Sequence, residues 1–177
     1  MKKHKVCVIG TGFMGRTHLE ALRRLGSVDI QAVAGTSLEK ARQLADAFAV
    51  DRATADYREI VNDPAIDAVH VCTPNALHFP IAEAALRAGK HVLCEKPLAT
   101  SSSEARKLVS LAKENQLRNC TCHNLRFYPW CNRCAACARR ESWVKSWLRK
   151  ERIRRTGSST TPTGTGESNP VQTALPG

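Results

Sequence analysis

Gly10-Thr11-Gly12-Phe13-Met14-Gly15 is a G-x-G-x-x-G run, a spacing suited to wrapping main chain around a phosphate. It follows the β-branched run Lys5 to Ile9 and opens a stretch with apolar residues at helical spacing. In that context Gly10 permits a tight turn, Gly12 lets the backbone approach a pyrophosphate, and Gly15 lets helix and strand pack closely. The unpaired N–H groups and the dipole at a helix start then hold the anion. Thr11, Phe13 and Met14 complete the loop and count with the glycines as expected contacts of a nicotinamide dinucleotide.

The end of the second β-branched run refines this reading. A chain that binds NAD usually places an acid there to take the ribose hydroxyls. Here the chain reads Val33-Ala34-Gly35-Thr36-Ser37, with no acid, so nothing repels a 2′-phosphate. Thr36 and Ser37 offer hydroxyls, and Lys40 and Arg42 stand nearby, although Ser37 also suits a helix N-cap. The cofactor is expected to be NADP or NAD, with a weak preference for NADP.

These loops need a frame to hold them. From Lys5 to His123 short β-branched runs alternate with longer stretches of helical period, the pattern of βαβ units. Strands are expected at Lys5 to Ile9, Ile30 to Ala34, Asp67 to Cys72, His91 to Cys94 and Cys120 to His123, with a weaker one near Arg52 to Thr54. Helices are expected at Gly15 to Leu25, Leu38 to Phe48, His78 to Ala88 and Ser102 to Asn115. Ser101 and Glu104 form a capping box, Asn75 precedes His78 as a cap, and Gly26 and Gly89 stand at helix ends. Strands joined through helices pair in parallel with right-handed crossovers, giving an α/β, doubly wound, mainly parallel sheet covered on both faces. Such a sheet binds its ligand outside the carboxyl ends of the strands. Cys7, Cys72 and Cys94 lie inside apolar runs and are expected to be free, buried thiols.

Two further runs carry a resemblance. Asp67-Ala-Val-His-Val-Cys-Thr-Pro-Asn-Ala-Leu-His78 and Gly89-Lys-His-Val-Leu-Cys-Glu-Lys-Pro-Leu-Ala99, taken with the glycine loop and His123-Asn-Leu-Arg-Phe-Tyr-Pro129, closely resemble the Gfo/Idh/MocA oxidoreductases. The resemblance covers nearly all of residues 4 to 129 and implies a Rossmann domain over 1–129. It also implies that Thr73, Pro74, Asn75 and His78 lie near the nicotinamide ribose, and that Glu95-Lys96-Pro97 carries the catalytic lysine, Lys96. A lysine beside the hydride acceptor can polarise a substrate oxygen and move a proton. His70 reads instead as a core or sheet-edge histidine. The implied activity is hydride transfer between the cofactor and a sugar, polyol or related carbonyl compound, with the full-length ancestor able to form oligomers. In that family a second domain supplies the substrate pocket, and none can be assigned here. Dinucleotide binding without turnover is therefore the competing reading.

Beyond Pro129 the grammar changes. The net charge of +11 over 177 residues is uneven: residues 1–129 carry +5 and residues 130–177 carry +6. Cys131-x-x-Cys134-x-x-Cys137 resembles half a metal site, and the basic run from Trp143 to Arg155 resembles a nucleic-acid or membrane segment. A simpler reading is loss of one nucleotide at the Pro129–Trp130 junction. One original that the genetic code permits continues L-V-Q-Q-M-R-S-L-R-A-S-G-E-L-G-E-V-L-A-A-K-G-T, which extends R-F-Y-P as members of the family do. Residues 130–177 are thus expected to be out of frame and largely disordered, rich in Ser, Thr, Pro and Gly at the end. No metal, nucleic acid or membrane is expected as a partner. No leader or apolar span of about 20 residues is seen, which points to the cytoplasm.

Overall fold

The computed structural model describes residues 3–131 and Arg133. Met1–Asn124 forms one compact unit. Six strands, β1 (His4–Ile9), β2 (Val28–Ala34), β3 (Arg52–Thr54), β4 (Ala68–Val71), β5 (His91–Glu95) and β6 (Asn119–Cys122), form one sheet in the order β3-β2-β1-β4-β5-β6. Every pairing is parallel. The order reverses between β1 and β4, so the crevice expected to bind ligand opens above those two strands.

The strands alternate as their sequences require. Val6 and Val8 enter one core with Leu19, Leu22, Leu44 and Phe48, whereas Cys7 and Ile9 enter the other with Ile81, Leu86 and Leu108. The helices that close these cores are α1 (Phe13–Arg23), α2 (Leu38–Ala47), α3 (Tyr57–Val61), α4 (His78–Arg87) and α5 (Ser102–Glu114). In α1 the buried positions are Gly15, His18, Leu19 and Leu22, a single stripe at helical spacing. In α4 they are His78, Ile81, Ala82, Ala85 and Leu86, the same period. Cys7, Cys72 and Cys94 are buried and free, as expected, and burial pushes the Cys7 and Cys94 thiols up to about 12.

The caps depart from the sequence reading in instructive ways. Ser37 does cap α2, its Oγ accepting from Lys40 N–H at 3.3 Å. Ser101 likewise accepts from Glu104 N–H at 3.2 Å, but the Glu104 carboxylate takes the N–H and hydroxyl of Thr100, so the reciprocal bond falls one residue early. Asn75 does not cap α4. It begins a 3-10 turn, Asn75–Leu77, that runs directly into the helix. Gly89 takes a positive φ of 77° behind α4, whereas Gly26 does not need one. The sequence pattern misses α3, because five residues are too short to show a period; Asp56 caps it, accepting from Arg58 N–H at 3.0 Å.

Candidate functional site

The glycine loop joins β1 to α1 at the crevice. Gly10 has φ 123°, and a Cβ there would run into the Cys72 carbonyl behind β4. A Cβ on Gly15 would collide with the Gly10 carbonyl, so this glycine sets how closely α1 approaches β1. Around Gly12 a Cβ would meet nothing within 4 Å, which leaves the main chain open to a ligand. The loop therefore has the cradle that a pyrophosphate requires.

Three adjoining hollows follow one another along the strand ends. The largest, about 510 Å³, is lined by Gly10, Thr11, Gly12, Phe13, Met14, Gly35, Thr36, Thr73 and Pro74, with Ala55, Tyr57, Leu77 and Ile81 among the other walls. Its size falls within the range of small-molecule sites, roughly 300–1,000 Å³. Met14, Cys72 and Thr73 are shared with a second hollow of about 200 Å³, completed by Asn75, His78, Glu95 and Lys96. Thr11 is shared with a third of about 170 Å³, completed by Arg16, Lys40, Gln43 and Leu44. The Thr73 hydroxyl, buried beside the first two hollows, has no hydrogen-bond partner among the described residues.

Most of the residues singled out in the sequence thus come together, and three act from behind the walls. Gly15 fixes the loop, Ser37 caps α2, and Pro97 offers its carbonyl to His78 Nδ1 at 2.6 Å. The other ring nitrogen of His78, Nε2, lies 2.7 Å from the Thr73 carbonyl, so this buried imidazole staples the chain after β4 to the chain after β5. Each carbonyl can only accept, so a neutral ring satisfies one of them and a doubly protonated ring both. At the other end Gly35 sits close against the loop: a Cβ would lie 2.7 Å from the Thr11 methyl, so a larger residue needs that side chain to shift. Of the two cations named near Ser37, Arg42 turns away and donates to the Asp51 carbonyl at 2.9 Å, while Lys40 lines the third hollow.

Sequence reasoning missed Arg16 and His18. Arg16 follows Gly15 and shares the third hollow with Lys40, its guanidinium 5.6 Å above the Phe48 ring. His18 is buried in the stripe of α1 and pairs with Glu95, Nε2 to Oε1 at 3.0 Å. A histidine among leucines at helical spacing was the available signal. His70 lies on β4, an interior strand, and not at a sheet edge; its Nδ1 is 2.9 Å from His18 Nδ1. Burial tends to raise the Glu95 carboxyl, but hydrogen bonds from Cys122, His18 and the Lys96 N–H outweigh it and hold the group below its ordinary range. Burial and the same carboxylate push the Cys122 thiol up to about 11. His18, Glu95 and Cys122 bring a nitrogen, an oxygen and a sulfur within 4.8 Å of one another, but two of these already satisfy each other, so the group reads as a hydrogen-bonded cluster. Cys131 is exposed and free, while the readings placed on residues 134–177 lie outside the described residues.

Comparison with known proteins agrees with this geometry. Residues 4–123 match the family model for the "Oxidoreductase family, NAD-binding Rossmann fold", GFO_IDH_MocA. Levoglucosan dehydrogenase of Pseudarthrobacter phenanthrenivorans is 35% identical over 137 residues, 73% of this chain and 35% of that protein. Among solved structures, GenD2 from gentamicin A biosynthesis, in complex with NAD, superposes with a TM-score of 0.70 at 35% identity, over 73% of this chain and 37% of its own. Biliverdin reductase of Synechocystis sp. PCC 6803, in complex with biliverdin and NADP+, gives 0.63 at 37% identity, over 66% and 37%. The chain thus spans about a third of the length of these relatives. Among the described residues no helix is long and apolar enough to cross a membrane.

Proposed function

Since this chain belongs to the Gfo/Idh/MocA oxidoreductase family, we propose that its strand-end groove holds a nicotinamide dinucleotide for hydride transfer to or from a sugar, polyol or related carbonyl compound. The observation that carries the reading is the run of three adjoining hollows, with the glycine loop at the middle and Lys96 at one end. The pyrophosphate lies on the loop, the nicotinamide end among Met14, Thr73, Asn75 and Lys96, and the adenosine end beside Gly35 and Thr36. A bound nicotinamide cofactor supplies the site with a hydride donor or acceptor. Lys96 faces the substrate oxygen there, polarising it and passing a proton.

NADP is the modestly preferred cofactor. Gly35 stands where an acid would take the ribose hydroxyls, and its lack of a carboxylate removes the usual repulsion of a 2′-phosphate. The hollow beyond Thr11 adds Arg16 and Lys40 as its cations. Calorimetric titration of the chain with NAD and NADP tests this: saturable binding of both is expected, NADP the tighter, and tighter NAD would reverse the assignment.

The change of composition after Pro129, six residues past the end of the family match, supports an altered reading frame in residues 130–177. Sequencing the DNA around the Pro129 codon decides it: restoring one base should open a family-like continuation, and an intact frame without one removes the proposal. In a frame-restored protein Lys96→Ala should lower turnover about 10²–10⁴-fold with cofactor affinity nearly unchanged. Saturable cofactor binding with no turnover under any substrate of the proposed class would leave a binding protein.

A further inference from the structure

Cofactor binding leaves a line of buried titratable side chains unexplained. His18 reaches inward from α1, one turn beyond the glycine loop, and its Nε2 lies 3.0 Å from Glu95 Oε1 at the end of β5. The second oxygen of Glu95 accepts the backbone N–H of Lys96 at 3.2 Å. Behind His18 stands His70 on β4, with the two Nδ1 atoms 2.9 Å apart and the rings edge to face at 87°. His18 and Glu95 are 7% and 6% exposed.

Proton placement along this line is constrained. Glu95 is held as a carboxylate and can only accept, so His18 Nε2 must carry a hydrogen. Between the two Nδ1 atoms there is room for one proton, so one ring donates and the other accepts. Burial, with the charge of His18 adding to it, drives His70 down to about 4, which keeps that ring neutral near pH 7. When His70 holds the Nδ1 proton a neutral His18 donates from Nε2 to Glu95, and when His18 holds it only the doubly protonated ring can still do so.

We propose that His18 and His70 are positioning residues that clamp the Glu95 carboxylate against the Lys96 main chain, and so fix the turn from which Lys96 meets the nicotinamide end of the groove. The line crosses from the helix that carries the phosphate loop, past β4, to the end of β5. It ties the two functional loops together through His18 and His70, neither of which lines the three hollows. Removing His18 leaves the buried carboxylate with Cys122 as its remaining side-chain donor, and its cheapest response is to turn toward water and take the Lys96 turn with it.

The proposal rests on the dinucleotide reading above, and its test separates the two. The full 177-residue chain is titrated with NADH, followed by the fluorescence of the bound nicotinamide, and with ADP-ribose, which lacks that ring. His18→Ala is expected to weaken NADH about tenfold and abolish its fluorescence change, while ADP-ribose binding shifts less than twofold. His18→Gln, whose amide nitrogen can replace Nε2 as the donor, recovers most of the loss. Equal weakening of both ligands would show that His18 merely supports α1, and unchanged NADH binding would show that the line does nothing; either result overturns the proposal. If His18→Ala fails to fold, Glu95→Gln, of the same shape without the charge, must give the same split between the two ligands or the proposal falls. Unaltered protein that binds neither ligand brings down the dinucleotide reading first, before any variant is compared.

Discussion

The middle of the groove and its Lys96 end are made of different materials. At the glycine loop the work is done by main chain and missing side chains: Gly10 and Gly15 allow carbonyls to lie where a Cβ would stand, and Gly12 leaves open space. At the Lys96 end it is done by buried polar side chains, with His78 stapling two strand ends and the line from His70 through His18 fixing Glu95. A backbone cradle tolerates almost no added volume and is indifferent to pH. A side-chain framework tolerates conservative replacement but depends on the protonation of its members.

That contrast can be broken by experiment, most severely with Gly15→Val. The new side chain would meet the Gly10 carbonyl, a main-chain atom that cannot swing aside, so binding of every dinucleotide should fall by more than about 100-fold. Retained affinity, measured by calorimetry on folded protein, would mean that α1 and β1 can separate without loss of the site.

Acid sharpens the contrast next. An imidazole held neutral by burial, with a folded pKa of about 4 against 6.5 unfolded, contributes stability that is complete above about pH 6.5 and is lost as the pH falls toward 4. Between pH 7 and pH 5 this amounts to about 2 kcal/mol at most. Glu95, also held below its ordinary range, adds to the loss at lower pH still. Urea denaturation at the two pH values should show the drop, and His70→Leu should remove most of it. An equal drop in that variant would place the acid sensitivity elsewhere.

The smallest effect is expected in the hollow beyond Thr11, where two exposed cations act through solvent. Arg16→Ala and Lys40→Ala should each weaken NADP about three- to fivefold and leave NAD unchanged. Arg42→Ala, whose guanidinium is committed to the Asp51 carbonyl, should alter neither cofactor. Loss of NAD affinity in the Arg16 variant would make that residue a support of the loop.

What the sequence by itself determined was whatever depends on local order. The βαβ alternation, the glycine spacing, the Ser37 and Ser101 caps and the buried cysteines all follow from neighbours a few residues apart, where period and turn chemistry act directly. The parallel pairing followed as well, because strands joined through helices return in the same direction, whereas the order β3-β2-β1-β4-β5-β6 was read only from the fold. Tertiary structure alone decided which distant side chains meet. His18 and Glu95 are 77 residues apart, and His18 and His70 are 52 apart; no local pattern marks them as partners. The same holds for Arg16 and Lys40, which share a hollow only because α1 and α2 both start at the strand ends on one face of the sheet. Hydrogen bonding and Coulomb attraction act over a few ångströms in space, and the chain's order along the sequence carries no measure of that distance until the sheet has formed.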